Sequence, residues 1–158
     1  MRLSEILLED EVATDPQFSQ WFGNSVVVDK KTGKPLLVYH GTSHDFDTFD
    51  TKAAPVHRND DIEGTYFSPS PEYAYSFARR GSGPRKRLIS AYLKIQNPLN
   101  ITPLIKKFRR KGMTFGNAKR EAMKMVDRSV HDGVVFDGDS YNIAEYIIFR
   151  PDQVWLKK

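Results

Sequence analysis

Five short apolar runs, at residues 26–28, 36–39, 88–95, 133–136 and 145–149, constrain this chain more than anything else in it. Each is strand-length, and β-branched or aromatic residues dominate. They do not alternate regularly with helix-like segments, as a doubly wound parallel sheet requires. The expected class is therefore α+β, with a mixed or mainly antiparallel split sheet and short flanking helices. At 158 residues the chain is one domain's worth, enough to bury about two-thirds of its unfolded surface. We read residues 1–158 as a single domain, with residues 1–17 as an N-terminal helical extension.

Local signals set the element boundaries. Ser4 can cap a short helix over residues 5–11. Asp15 and Pro16 open a second, with Gly23 just past its end and Phe18, Trp21 and Phe22 on one side. Residues 26–28 and 36–39 flank a glycine-bearing loop and read as a hairpin. Residues 42–64 form a polar stretch without periodicity, long enough to suggest a functional loop. Residues 65–68 read as a short strand. Ser70, Pro71 and Glu72 then supply a cap, a first-turn proline and an acid for a helix ending at Gly81. Asn97-Pro98 stops the strand at 88–95. Thr102 should cap a basic helix to Arg110. A second basic helix should run from Phe115 to Asp127, with Ala118, Ala122, Met125 and Val126 inward. Residues 154–155 could add a final strand.

Charge is unevenly spread. Residues 79–128 hold 15 Lys or Arg against two acids, Glu121 and Asp127, while the remainder has 9 basic and 18 acidic residues. Such a block suits a phosphate backbone, or it solvates helix faces. With no cysteine there is no disulfide or thiolate chemistry, and a cytoplasmic monomer is expected. No apolar run approaches a membrane span, and the acids Glu5, Glu9 and Asp10 do not suit a secretory signal. No metal is expected. His40 and His44 sit at a strand-to-loop junction rather than on one helix face, and the Asp137–Asn142 stretch lacks the sixth-position glycine of a calcium loop.

Three elements carry chemistry in a particular order. His40, Gly41 and Thr42 close the run at 34–39; Tyr66 lies in the strand before an aromatic-alanine helix; Glu145 heads a nearly all-apolar strand. A carboxylate can stabilise an oxocarbenium-like ribose, an imidazole can bond a ribose hydroxyl, and aromatics such as Tyr66, Tyr73 and Phe77 can stack on a planar ring. Each has a plainer reading: an edge-strand glutamate facing water, a strand-end histidine, aromatics in a core.

Together with residues 21–25, 27–29, 33–35, 38–42, 46–49, 64–68, 74–78, 92–93, 97–99, 132–135 and 145–154, these elements resemble an ADP-ribosyltransferase domain. The type is the His-Tyr-Glu class found in phage proteins and bacterial polyvalent proteins. The resemblance covers residues 18–154. It implies NAD as substrate and no metal. His40 would orient the NAD ribose and Gly41 would hold the carboxamide through its backbone. Thr42 would lie beside the nucleotide, Tyr66 and Phe77 would be the aromatics against nicotinamide, and Glu145 would be the catalytic glutamate. Residues 137–144 would form the acceptor loop, with Tyr141 and Asn142 as contacts. Ile143 stands where arginine-modifying relatives carry an acid or glutamine, which disfavours arginine as the target. Ala74 stands where polymer-forming relatives carry serine, which favours single-unit transfer. The expected function is mono-ADP-ribosylation of a protein or nucleic acid, with the acceptor drawn in through residues 79–128. Alternatives are an NAD glycohydrolase, an NAD-dependent removal of phosphate from RNA, and an inactive nucleic-acid-binding module.

Overall fold

The computed structural model describes residues 14–43 and 64–157. The expected helix at 5–11, His44 and the 46–49 stretch lie outside the described residues. Helix α1 (Pro16–Phe22) begins where Asp15 accepts the Gln17 and Phe18 amides and ends at Gly23. Strands β1 (Val38–Thr42) and β2 (Thr65–Phe67) precede helix α2 (Pro71–Arg80), which Ser70 caps through the Tyr73 amide. Then come β3 (Arg87–Leu93), β4 (Leu99–Asn100), α3 (Thr102–Arg110) and α4 (Phe115–Met123). Strands β5 (Gly133–Phe136) and β6 (Glu145–Ile148), a single 3-10 turn (Pro151–Gln153) and β7 (Val154–Leu156) complete the order.

The strands form two sheets, β1-β3-β7 and β2-β6-β5-β4, antiparallel except for the β4–β5 pair. This is the expected α+β class with a split, mainly antiparallel sheet. Tyr39 and Ser68 exchange backbone hydrogen bonds of 2.8 and 2.9 Å, joining β1 to the chain just after β2. The two sheets therefore meet along a seam between the His40 strand and the Tyr66 strand.

Alternation along the strands explains how three apolar clusters form. Val38, Ala91 and Leu93 face Phe67, Val135, Tyr146 and Ile148 between the sheets. Val134, Phe136 and Ile147 point the other way, onto Ile105, Ala118, Ala122 and Met123 of α3 and α4. With both faces covered, β5 and β6 are buried throughout, which is why they read as apolar runs apart from Glu145. On the three-stranded sheet, Tyr92 meets Phe18 edge-on at 5.2 Å, and Trp155 does so at 5.4 Å, fixing α1.

Several boundaries differ from expectation for identifiable reasons. The hairpin reduces to one bridge, Val28 to Pro35, because Pro35 has no amide to extend the ladder and the Val26 amide bonds Ile95 instead. Thr102 is the first helical residue rather than the cap. Its hydroxyl accepts the Asp137 amide at 2.9 Å and donates to that side chain, tying α3 to the end of β5. Helix α4 stops at Met123, where the amides of Met125 and Val126 tighten to i−3 carbonyls. That tightening rotates Met125 outward (49% exposed) and leaves Met123 in the core.

Candidate active site

Glu145 is the first residue of β6, and β6 lies between β2 and β5. The reading of an exposed edge-strand glutamate fails: Glu145 is 8% exposed. Register places it opposite Phe136, on the β6 face that also carries Ile147 and meets α3 and α4. A carboxylate at that depth needs partners, and two elements supply them. The Tyr73 hydroxyl of α2 donates to Oε1 at 2.8 Å, and the Lys119 ammonium of α4 donates to Oε2 at 2.8 Å. The Lys119 and Glu145 side chains are 13% and 9% exposed, so this pair is largely shielded from water.

His40 lies on β1 at the seam. Its Nδ1 is 2.7 Å from the Tyr66 carbonyl oxygen, and its ring meets Phe67 at 5.4 Å. A carbonyl can only accept, so Nδ1 carries the proton and, in the neutral ring, Nε2 is the accepting nitrogen. Loss of water around the ring pushes the imidazole below its ordinary pKa, and the carbonyl bond opposes this only in part. This hydrogen bond joins the histidine strand to the tyrosine strand.

Tyr66 is half-buried, paired with Ile147, and packs with the cluster beneath α3 and α4. It shares the sheet face of Glu145, one diagonal step away. Gly41 has a packing role that sequence reasoning did not supply. A Cβ there would sit 1.9 Å from the Ala74 carbonyl oxygen, so the bare backbone is what lets α2 lie on β1. Thr42 is buried at the end of β1, opposite Arg87. Phe77 packs edge-on against Tyr73 at 5.1 Å and lies beneath the Arg80 guanidinium at 5.0 Å.

The 137–144 loop leads directly into Glu145 and lines a shallow open concavity. Asp139 organises it, accepting the Tyr141 and Asn142 amides at 2.8 Å each and the Asn142 side chain. The Tyr141 amide, then the Asn142 side chain, hold the Asp139 carboxyl below the usual range; the Arg109 charge adds to this from α3. Tyr141 is 92% exposed.

The basic block is spread over elements of both sheets. Arg87 starts β3 in the three-stranded sheet, next to Arg85 and Lys86, whereas Arg109, Arg110 and Lys111 end α3 over the four-stranded sheet. Some of its charges have local work. Arg120 bonds Asn117, Lys124 pairs with Glu121, and Arg128 covers the Phe149 ring at 4.3 Å. Lys119 is the functional candidate that sequence reading missed, hidden among so many cations. Tyr73, noted there only as a stacking aromatic, reaches the carboxylate through its hydroxyl.

The split sheet thus brings a histidine and a tyrosine to its seam and a buried glutamate to the head of a central strand. Comparison supplies the family: the one described as ADP-ribosyltransferase in polyvalent proteins matches residues 30–156, and the chain belongs to it. Members of this class use NAD as substrate. No curated protein matches the chain. No helix among the described residues is long and apolar enough to cross a membrane, and no group of three or more metal-ligating side chains converges there.

Proposed function

We propose that this domain is a mono-ADP-ribosyltransferase that transfers ADP-ribose from NAD to a macromolecule, with His40, Tyr66 and Glu145 as its working residues. The observation that carries the reading is the state of Glu145: a carboxylate buried at the head of a central strand and gripped by two helices. In the reaction, the bond between ribose C1 and the nicotinamide nitrogen breaks and its electron pair leaves with nicotinamide. An acceptor lone pair forms the new bond to C1, and the acceptor's proton passes to solvent. Positive charge develops on the ribose between these events, and Glu145 stabilises it. His40 Nε2 accepts a ribose hydroxyl, Gly41 and Thr42 line the approach, and Tyr66 and Phe77 flank the nicotinamide. Tyr141 and Asn142 meet the acceptor.

Incubation with labelled NAD and a bacterial lysate, followed by separate nuclease and protease digestion, tests transfer and identifies the acceptor class. Glu145→Gln keeps the shape but removes the charge, so we expect it to bind NAD and to release nicotinamide on the order of 10²-fold more slowly. Wild-type turnover by that variant would remove Glu145 from the mechanism. Release of nicotinamide without labelled macromolecule would instead make the domain an NAD glycohydrolase.

A further inference from the structure

We infer that Lys119 is a positioning residue for the reaction, fixing the Glu145 carboxylate in its working orientation together with Tyr73. The inference rests on the proposed role of Glu145 and adds to it a residue from α4, an element that supplies none of His40, Tyr66 or Glu145. A glutamate side chain has three rotatable bonds, and heading a strand fixes only its Cα. The two helices fix the remainder. Tyr73 donates to Oε1 from α2 and Lys119 to Oε2 from α4, each at 2.8 Å. With both oxygens held by different elements, the carboxylate plane cannot turn without losing one bond. A carboxylate offers about four acceptor sites, so two remain for a substrate hydroxyl.

The neighbouring groups leave this work to the two donors. Phe136, opposite Glu145 on β5, brings no charge. Asp137, the next residue, is engaged by Lys30, Asn100 and Thr102. Arg120, beside Lys119 on α4, bonds Asn117. Glu72 of α2 accepts from Ser70.

Lys119 could also work against the reaction, since an ammonium repels a cationic ribose. Distance decides between these effects. Coulomb energy falls inversely with separation, and a carboxylate touching the ribose is nearer than an ammonium bound to its far oxygen. The attraction wins, and orientation is the net contribution. Misplacing a reacting group by about 1 Å costs up to about 10²-fold in rate.

The test is steady-state nicotinamide release from NAD by wild type, Lys119→Met, Lys119→Arg, Tyr73→Phe and Glu145→Gln, with rates expressed per folded molecule. Lys119→Met should lose about tenfold or more in kcat with KM changed less than about twofold. Lys119→Arg, which still donates to Oε2, should recover most of that loss. Tyr73→Phe, which keeps the ring and leaves Lys119 on the carboxylate, should show a smaller loss of kcat per folded molecule, and it carries the test if Lys119→Met does not fold. Wild-type kcat in Lys119→Met or, where that protein does not fold, in Tyr73→Phe overturns the inference, provided Glu145→Gln is slow. Faster turnover in Lys119→Met, or a failure of arginine to rescue, overturns it as well. Wild-type turnover in Glu145→Gln is a separate result, because it removes the reading of the site on which the inference stands.

Discussion

His40 and Glu145 meet burial in opposite ways. The imidazole is favoured in its neutral form and spends Nδ1 on the Tyr66 carbonyl, while the carboxylate draws an ammonium and a phenol to itself. For His40 this has a consequence in pH. Burial depresses the folded pKa below the ordinary value of 6.5. Its contribution to stability is therefore present above that ordinary value and is lost as pH falls through the folded one. His40→Asn offers a short donor without a titrating ring, so its melting temperature should fall less than wild type's between pH 7 and pH 5. Parallel decline in the two proteins would mean that other groups govern acid sensitivity. Gln153 makes a different residue-scale prediction. Fully buried, it accepts the Phe149 and Arg150 amides and donates to the Lys94 and Asp132 carbonyls. Gln153→Leu strands those groups and should cost on the order of 3 kcal/mol or more in a urea titration. The strand positions of His40, Tyr66 and Glu145 were legible in the sequence because each lies in a short, recognisable strand context. Lys119 was not, because a single buried ammonium looks like its solvated neighbours until the helix has a partner face.

At the scale of elements, the local chemistry of chain ends proved a good guide. Asp15-Pro16 and Ser70-Pro71 start α1 and α2 as capping predicts, since these caps need only residues within one turn. Features that depend on distant partners were not readable. Thr102 has the residue type of a cap, yet its hydroxyl is engaged with Asp137, 35 positions away. Met125 lost its inward place when the last turn tightened. The contact between α2 and β1 also depends on a distant partner. Gly41→Ala drives a methyl into the Ala74 carbonyl, backbone against backbone, so the helix must lift from the strand. We expect a loss of about 1–3 kcal/mol by urea titration. A normal unfolding midpoint for Gly41→Ala would show that α2 has room to move.

Across the whole molecule, the two sheets divide the residues of the proposed site between them. The three-stranded sheet contributes His40, and the four-stranded sheet contributes Tyr66, Glu145 and the loop ahead of it. The basic charges divide the same way, and the Arg109 charge reaches Asp139 in that loop. If the acceptor carries phosphate, Arg109/Arg110/Lys111→Ala should weaken acceptor modification and flatten its salt dependence by about one unit for each lost contact. Basal NAD hydrolysis should stay at the wild-type rate. Equal modification by both proteins across a salt series would reduce the cluster to a solvated helix end.

The closeness of Gly41 to Ala74 also bears on how descendants of such a chain can be read. A lineage that stopped transferring ADP-ribose would still need the glycine, because the helix would still rest on it. Tyr73 and Lys119 both hold the Glu145 carboxylate: once Glu145 had nothing to do, selection on that hold would relax. On the proposed reading of the site, the glycine beside the histidine would therefore mark ancestry, and the tyrosine and lysine around the glutamate would track activity.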